Sequence, residues 1–129
     1  MRLLTWNINS IRLRLPLLLK LIAGHNPDII CLQETKTPDA FFPTEELAKN
    51  GYNHMHTWGM KGYNGVAILS KIPFSRAERH ERVGKMDSRH ISAFFPHFTL
   101  HNIYIPAGGY EADPAINDKF QHKLDFVDD

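Results

Sequence analysis

The chain opens with a strand, a helix and a second strand, and this order constrains the fold more than any other feature of the sequence. Residues 2–8, "RLLTWNI", read as a strand, and residues 28–33 form a second one that is almost entirely apolar. Between them, four apolar side chains recur at helical spacing: Leu15, Leu18, Leu19 and Ile22. Gly24 is placed to end this helix. A right-handed strand–helix–strand unit brings the ends of both strands to the same edge of a sheet.

The second strand predicts what surrounds the sheet. Its Ile-Ile-Cys-Leu run is continuous rather than alternating, as expected where helices cover both faces. We therefore expect an α/β fold with a mixed sheet flanked by helices. Five further strands are predicted, at 52–57, 65–70, 74–81, 89–95 and 99–106, and a short helix with Thr44 as its cap precedes them.

Polar side chains collect at the predicted edge of the sheet. Asn7 and Asn9 end the first strand, and Glu34 follows the second. Open α/β sheets bind ligands at this edge, and carboxylate and amide oxygens suit Mg²⁺ or Mn²⁺. The alternative is that Glu34 caps the next turn and pairs with Lys36 on the surface.

Composition adds few constraints. A chain of 129 residues fits one domain, and 15 basic against 14 acidic side chains give no overall positive field for nucleic acid. The single Cys31 excludes an intrachain disulfide and reads as a small buried hydrophobe. No signal peptide or membrane span is predicted, so we expect no membrane partner and a cytoplasmic location.

The C-terminal segment predicts a helix that starts at Asp113 and Pro114. No glycine or cationic turn ends it, and Asp128 and Asp129 occupy the end where the helix dipole disfavours negative charge. We interpret Asp129 as a cut within this helix, so that residues 1–129 form the N-terminal portion of one domain.

Five segments occur in the order of a known family: "LLTWNINSIR", "PDIICLQETK", "KGYNGVAILSK", "DSRHISAFF" and "NIYIPAGG". Together they resemble the N-terminal half of exodeoxyribonuclease III and the related apurinic/apyrimidinic endonucleases of the endonuclease/exonuclease/phosphatase superfamily. The resemblance implies half of a four-layer α/β sandwich, in which two mixed sheets pack back to back between helices. It also implies Mg²⁺-dependent hydrolysis of DNA phosphodiesters.

The resemblance assigns roles to individual residues. It makes Glu34 the metal ligand, with Asn7 orienting the metal or the scissile phosphate, Asn9 in support, and Tyr104 in the active site near the phosphate. Phosphodiester hydrolysis needs a divalent ion to offset developing charge, and a hydroxyl donor stabilises that charge further. Without the family, Tyr104 reads equally well as a core ring whose hydroxyl finds a backbone carbonyl.

The remaining motifs suggest substrate contacts. Gly62 and Gly65 free their backbone amides for phosphates, while Lys61 and Tyr63 add charge and a stacking ring, although the same letters describe a hairpin turn.

Two further residues are weaker candidates for substrate contacts. Arg89 aligns with a family arginine near the DNA backbone, but it also reads as a surface pair with Asp87. Tyr110 is a looser candidate for substrate binding, and Trp58 reads equally well as packing.

The sequence contains eight histidines, and His54 and His56 share a strand face. No Cys or carboxylate cluster supplies further ligands at familiar spacing, so a zinc site is not predicted.

The sequence also departs from the family. Members are about twice as long, and their second half carries a "GDxN" strand end, another aspartate and a closing "SDH", all of which are missing here. "DSRH" at 87–90 lies in the first half, and no catalytic role passes to His90. We expect one sheet of the sandwich to be left with a bare inner face, to be covered by the missing C-terminal half or by a second chain.

The leading hypothesis is the N-terminal half of a DNA-repair nuclease acting on double-stranded DNA at abasic sites, 5′ to the lesion, and at 3′ ends. Alone, it is expected to be inactive. The alternatives are a non-catalytic half-domain that binds nucleic acid or protein, and a relative that cleaves RNA, phosphoinositides or sphingolipids.

Overall fold

The computed structural model describes residues 1–81 and 87–105. The strands, in chain order, are β1 (Leu3–Asn7), β2 (Ile29–Gln33), β3 (His54–Trp58), β4 (Val66–Ser70), β5 (Arg76–Arg79), β6 (His90–Phe94) and β7 (Thr99–Ile103). Within these ranges the helices are α1 (Ile11–His25), between β1 and β2, and α2 (Thr44–Lys49), between β2 and β3, with one short 3₁₀ turn at Asp39–Phe41. The predicted helix from Asp113 lies outside the described residues. In the described part of the chain, neither helix is long and apolar enough to cross a membrane.

The strands form two sheets. Sheet A has the order β1-β2-β4-β3, in which β1 and β2 are parallel and the other pairs antiparallel. Sheet B has the antiparallel order β5-β6-β7. The strand–helix–strand unit, the α/β class and the mixed sheet are confirmed, and every predicted strand is present with shifted ends.

Helix α1 packs on one face of sheet A. Its buried Leu18 and Ile22 lie in one apolar cluster with Ile30 and Leu32 of β2. Burying each such side chain contributes about 1.5–3 kcal/mol to folding. The predicted apolar stripe of this helix is therefore confirmed.

The ends of both helices differ from prediction. Gly24 lies inside α1, whose last residue is His25, and the cap residue Asn26 that follows has a left-handed φ of 46°. Asparagine tolerates this conformation better than most residues, so it serves where glycine was expected. Thr44 is the first residue of α2 rather than its cap, which is Pro43.

The inner faces of the two sheets pack against each other. Ile29 and Cys31 of β2 lie in one apolar cluster with Ile91 and Ala93 of β6. The expectation of a single sheet with a bare inner face is therefore wrong, because this chain supplies strands to both sheets. The continuous apolar run of β2 also has a different cause: a helix covers one face of it and a sheet covers the other.

Cys31 lies in this inner layer with 4% of its surface exposed, and burial raises the pKa of its thiol to about 11. The thiol is therefore protonated at neutral pH, in agreement with its interpretation as a small apolar residue.

Candidate active site

The candidate site lies where β1 and β2 end together. Asn7 is the register partner of Gln33, the residue before Glu34. Beyond the strands, the amide of Ile8 donates to the carbonyl of Gln33 at 3.0 Å, and that of Ser10 to the carbonyl of Glu34 at 2.8 Å. The backbone therefore brings Asn7 and Glu34 to the same edge, as predicted.

Glu34 leaves the strand in a conformation that redirects its side chain. Its φ is 54°, in the left-handed region that few non-glycine residues adopt. In a regular strand Glu34 would point to the face opposite Gln33. Instead, Gln33 and Glu34 both contact β7 or the residue just after it: Gln33 bonds to Asn102, and Glu34 accepts a hydrogen bond from Tyr104. The unusual φ thus turns the carboxylate toward the gap between the sheets.

Tyr104 and Glu34 form the polar centre of the site. The Tyr104 hydroxyl donates to Oε1 of Glu34 at 2.8 Å. Tyr104 follows β7 on the same strand face as Asn102, and its amide donates to the carbonyl of Arg89 at 2.7 Å. This arrangement excludes the alternative in which the Tyr104 hydroxyl bonds a backbone carbonyl. Glu34 also forms no ion pair with Lys36, whose Nζ donates to Oδ1 of Asn9.

Arg89 supports the tyrosine ring. Its guanidinium carbon lies 4.8 Å from the centre of the Tyr104 ring, and its Nε donates to Oδ2 of Asp87 at 2.8 Å. The predicted pair with Asp87 is therefore present, but the side chain of Arg89 is only 13% exposed, so the expectation that this pair lies on the surface is wrong. A direct phosphate contact by Arg89 stays a prediction.

Burial is the main cause that raises the pKa of Tyr104, followed by its hydrogen bond to Glu34 and the charge of that carboxylate, while Arg89 opposes the shift. The phenol is therefore a proton donor at neutral pH rather than a phenolate.

Behind the Glu34–Tyr104 pair, a buried amide joins the two sheets. Asn102 accepts from Nε2 of Gln33 at 2.7 Å and donates to the carbonyls of Leu32 and Ala67 at 2.9 and 2.8 Å. Sequence reasoning missed Asn102. The available signal was a polar residue between Leu100 and Tyr104 on the inward side of an alternating strand.

Around the Glu34–Tyr104 pair, loops from different parts of the chain are joined by hydrogen bonds between backbone groups. The amide of Lys36 donates to the carbonyl of Asn64 at 2.9 Å, and that of Gly65 to the carbonyl of Ser88 at 3.1 Å. Asn64 also donates through its side chain to the carbonyl of Asp87 at 2.8 Å. Besides Glu34, the edge contains five non-glycine residues with positive φ: Asn9, Ser10, Lys36, Asn64 and Ser88. Such strain persists only where surrounding contacts hold it, and it is concentrated at functional sites.

The loop between β3 and β4 contains the predicted substrate residues Lys61, Gly62 and Tyr63, all of which are exposed. Gly62 has a φ of 81°, and no atom lies within 4 Å of the position that a Cβ would take there. These residues face solvent, as a substrate-contacting loop requires. Tyr110 lies outside the described residues, and Trp58 is buried in the core between the sheets, which favours its packing role.

Gly65 has a different role from the one predicted. Its amide already donates to Ser88, and a Cβ at this position would lie 2.1 Å from Oγ1 of Thr35. The prediction that this amide approaches a phosphate is therefore wrong. The glycine instead allows its loop to lie against the segment that follows Glu34.

The residues at the edge fit a hard divalent cation. Glu34 is half-buried and forms no ion pair with any Lys or Arg among residues 1–81 and 87–105, which leaves its negative charge available. Oε2 of Glu34 and the exposed side-chain oxygen of Asn7 are further possible metal ligands at the same edge. Mg²⁺ is held in proteins by one or two carboxylates together with water and substrate phosphate, so this donor set suits it.

Comparison with known proteins identifies the family. The profile of the endonuclease/exonuclease/phosphatase family matches residues 4–127. The chain belongs to this family. The membership confirms the resemblance drawn from the sequence, and the fold agrees with that of solved relatives.

Two solved structures and one curated relative show how far the likeness extends. An AP endonuclease from Archaeoglobus fulgidus is 33% identical with a TM-score of 0.86, and the alignment covers 99% of this chain and 48% of that one. A 3′ phosphatase from Neisseria bound to a product DNA hairpin is 32% identical with a TM-score of 0.86, covering 99% and 49%. The exodeoxyribonuclease III of Haemophilus influenzae is 33% identical over 138 residues, covering 100% and 49%. The chain thus spans about half the length of these relatives.

Proposed function

We propose that this chain provides the Glu34–Tyr104 part of the active site of a DNA-repair nuclease that hydrolyses phosphodiester bonds. The observation that carries this proposal is the 2.8 Å hydrogen bond between Tyr104 and Glu34 at the carboxyl edge of β1 and β2. This bond joins a carboxylate that would hold a cation to a hydroxyl that would donate to a phosphate, in a chain of the endonuclease/exonuclease/phosphatase family.

The proposed substrate is double-stranded DNA with abasic sites or 3′ ends. The named activities of the relatives support this choice: an AP endonuclease, an exodeoxyribonuclease and a 3′ phosphatase with product DNA bound. The proposed reactions are incision 5′ to the abasic site and removal of nucleotides or blocking groups from 3′ ends. RNA and phosphorylated lipids are the competing substrates that an assay panel should include.

Glu34 and Asn7 would hold Mg²⁺, with Mn²⁺ as a substitute. When bound, the ion would supply positive charge to offset the charge that develops on the phosphate. Tyr104 is protonated at neutral pH and has one hydroxyl hydrogen, so it would donate to a phosphate oxygen in place of its present bond to Glu34. Arg89 would hold the ring of Tyr104 in place from its position 4.8 Å away.

The exposed loop of Lys61, Gly62 and Tyr63 would contact the DNA backbone. Lys61 supplies charge for phosphate, and Tyr63 presents a ring that is 58% exposed, which suits stacking or hydrogen bonding at a damaged position. Because the net charge is only +1, such contacts must be local.

The decisive experiment is metal-dependent incision of a duplex that contains one abasic site. The 129-residue chain should be compared with the polypeptide encoded by the uninterrupted reading frame. We expect incision by a polypeptide that contains the "GDxN" and "SDH" segments and none by the 129-residue chain, because the base for water activation is missing from it. Robust cutting by the 129-residue chain would contradict the second expectation but not the first.

The edge strands favour one alternative function, a half-domain that binds a partner. Among the described strands, β1 and β7 lie at sheet edges; Leu3 of β1 is 53% exposed, and Ile105, two residues after β7, is 50% exposed. An open edge with apolar neighbours can pair with another chain. A reading frame that ends after codon 129, together with DNA or protein binding without incision, would support this alternative.

The cytoplasmic location also stays a prediction, which fractionation would test.

A further inference from the structure

Three histidines from adjacent strands lie together on the outer face of sheet B, the face that points away from the core. His80 directly follows β5, His90 begins β6, and His101 lies within β7. One ring nitrogen from each lies within 4.8 Å of the others. The ring centres are 4.2 to 5.8 Å apart. We call these three residues the histidine cluster.

Strand alternation explains the arrangement. Ile91 and Ala93 of β6 point into the core between the sheets, so His90 and Ser92 point outward. Ser92 is the register partner of His101, and the amide of His80 donates to the carbonyl of His90 at 2.9 Å. The histidines are far apart in sequence, which is why spacing alone did not indicate them.

The polar contacts within the cluster fix its present shape. Nε2 of His90 lies 2.9 Å from Nδ1 of His101, and Nε2 of His80 lies 2.7 Å from Oγ of Ser92. In a hydrogen bond between two imidazole nitrogens, one nitrogen carries the hydrogen and the other accepts it with its lone pair. Nε2 of His90 and Nδ1 of His101 therefore already point at one another, whereas Nε2 of His80 is directed at Ser92.

The spacing suits one metal ion. Zinc binds imidazole nitrogen at about 2.0–2.1 Å in tetrahedral geometry, which places two ligand nitrogens roughly 3.3 Å apart. The observed separations include one of 2.9 Å and none above 4.8 Å. Binding one ion would require the three side chains to rotate so that their nitrogens converge to roughly 3.3 Å from one another.

We propose that His80, His90 and His101 bind a divalent transition-metal ion, with zinc the best match. Three neutral imidazoles suit zinc, whereas Mg²⁺ prefers oxygen ligands, so the cluster would not compete for the cation proposed at Glu34. Three protein ligands leave a fourth position for water or another donor. The ion would link all three strands of sheet B on its outer face, opposite the inner face that carries Tyr104 and Asn102.

The test is a zinc titration of the chain after chelator treatment, with cobalt as a spectroscopic probe. We expect one Zn²⁺ per chain with micromolar or tighter affinity, and visible absorption from tetrahedral Co²⁺. His101→Asn is the informative variant because the His101 side chain is exposed, so its replacement leaves the core intact. The matched control is His97→Asn, an exposed histidine in the connection between β6 and β7.

His101→Asn should weaken zinc binding at least tenfold, whereas His97→Asn should leave it unchanged. Histidine-ring NMR of the unaltered chain gives a second measurement that needs no variant: zinc should shift the ring nitrogens of all three cluster residues. Absence of saturable zinc binding would overturn the proposal, as would equal affinity in His101→Asn. Glu34→Gln should retain full zinc affinity, and loss of zinc binding in that variant would overturn the proposal by placing the ion at the other site.

Discussion

Gln33 and Asn102 are hydrogen-bonded across the two sheets at 2.7 Å, directly behind Glu34 and Tyr104. Gln33 precedes Glu34 in the chain, and Asn102 is two residues before Tyr104 on the same strand face. The pair therefore fixes how the two sheets meet beside the candidate active site. The distance between the carboxylate and the phenol depends on this junction.

Asn102→Ala should destabilise the fold by about 2–3 kcal/mol, because it removes three hydrogen bonds and leaves the Gln33 amide without its Asn102 partner. Urea denaturation followed by circular dichroism measures this change. Asn53→Ala is the matched control, since Asn53 is exposed and should change stability by less than about 0.5 kcal/mol. Equal effects of the two substitutions would show that Asn102 does not hold the sheets together.

Glu34→Gln should abolish metal-dependent turnover in the polypeptide that performs the reaction. The amide keeps an oxygen that can accept from Tyr104 but carries no charge for a cation. The free energy of unfolding should change by less than about 1 kcal/mol, because the residue lies at a strand end. The control is Glu46→Gln on the exposed surface of α2. A near-normal rate with Mg²⁺ in Glu34→Gln would exclude Glu34 as a metal ligand.

Tyr104→Phe should slow the chemical step about 100-fold while DNA affinity changes little, because only a hydroxyl donor is lost. Single-turnover rates and DNA binding should be measured separately. Tyr52→Phe is the control: Tyr52 donates to the carbonyl of Pro27 at 2.6 Å, at the other end of β2, so this change should lower stability and leave the rate intact. Equal losses of rate and affinity in Tyr104→Phe would argue for a packing role.

Gly65→Ala and Gly62→Ala separate two costs at neighbouring turns. At Gly62 (φ 81°) nothing lies within 4 Å of an added Cβ, so alanine should cost only the left-handed strain of about 1–2 kcal/mol. At Gly65 (φ 96°) the added Cβ meets Oγ1 of Thr35 at 2.1 Å, and the total should exceed about 3 kcal/mol. Thermal denaturation of both variants checks the order, and the reverse order would contradict the packing described here.

His56 should make stability depend on pH. Burial is the main cause that lowers its pKa below 6.5 in the folded chain. Between the folded value and 6.5 the unfolded chain binds more protons, so the free energy of unfolding falls as the pH drops through this window. Urea denaturation in chelator from about pH 7.5 to about pH 5 should show this slope, and His56→Gln should reduce it. His97→Gln should preserve the slope, and an unchanged slope in His56→Gln would rule out a contribution from His56.

The local parts of the fold could be predicted from the sequence because their signals are local. Helix α1 is set by apolar spacing, and the edge that joins Asn7 to Glu34 follows from the handedness of one strand–helix–strand unit. The five later strands were located, but strand patterns do not specify which sheet each strand joins. That assignment depends on contacts between distant residues, and it led to the wrong expectation of a bare sheet.

In the candidate site, too, the sequence indicated individual residues but not the contacts between distant ones. The residues Glu34 and Tyr104 were identified from motifs, whereas their contact depends on the left-handed φ of Glu34, which no sequence pattern for glutamate indicates. Gly65 was identified as important for the wrong reason, since it is packed against Thr35 rather than aimed at a ligand. Asn102 and the histidine cluster depend on register between strands, so the sequence alone did not reveal them.

Four hydrogen bonds between backbone groups determine how the loops around the candidate site can open. They join Ser10 to Glu34, Lys36 to Asn64, Gly65 to Ser88 and Tyr104 to Arg89. No loop can detach without breaking a bond to its neighbour, so their amides should exchange with solvent deuterium in one cooperative event rather than one loop at a time. A length change in any of these loops would therefore displace the carboxylate even when the altered residues lie far from it in the sequence.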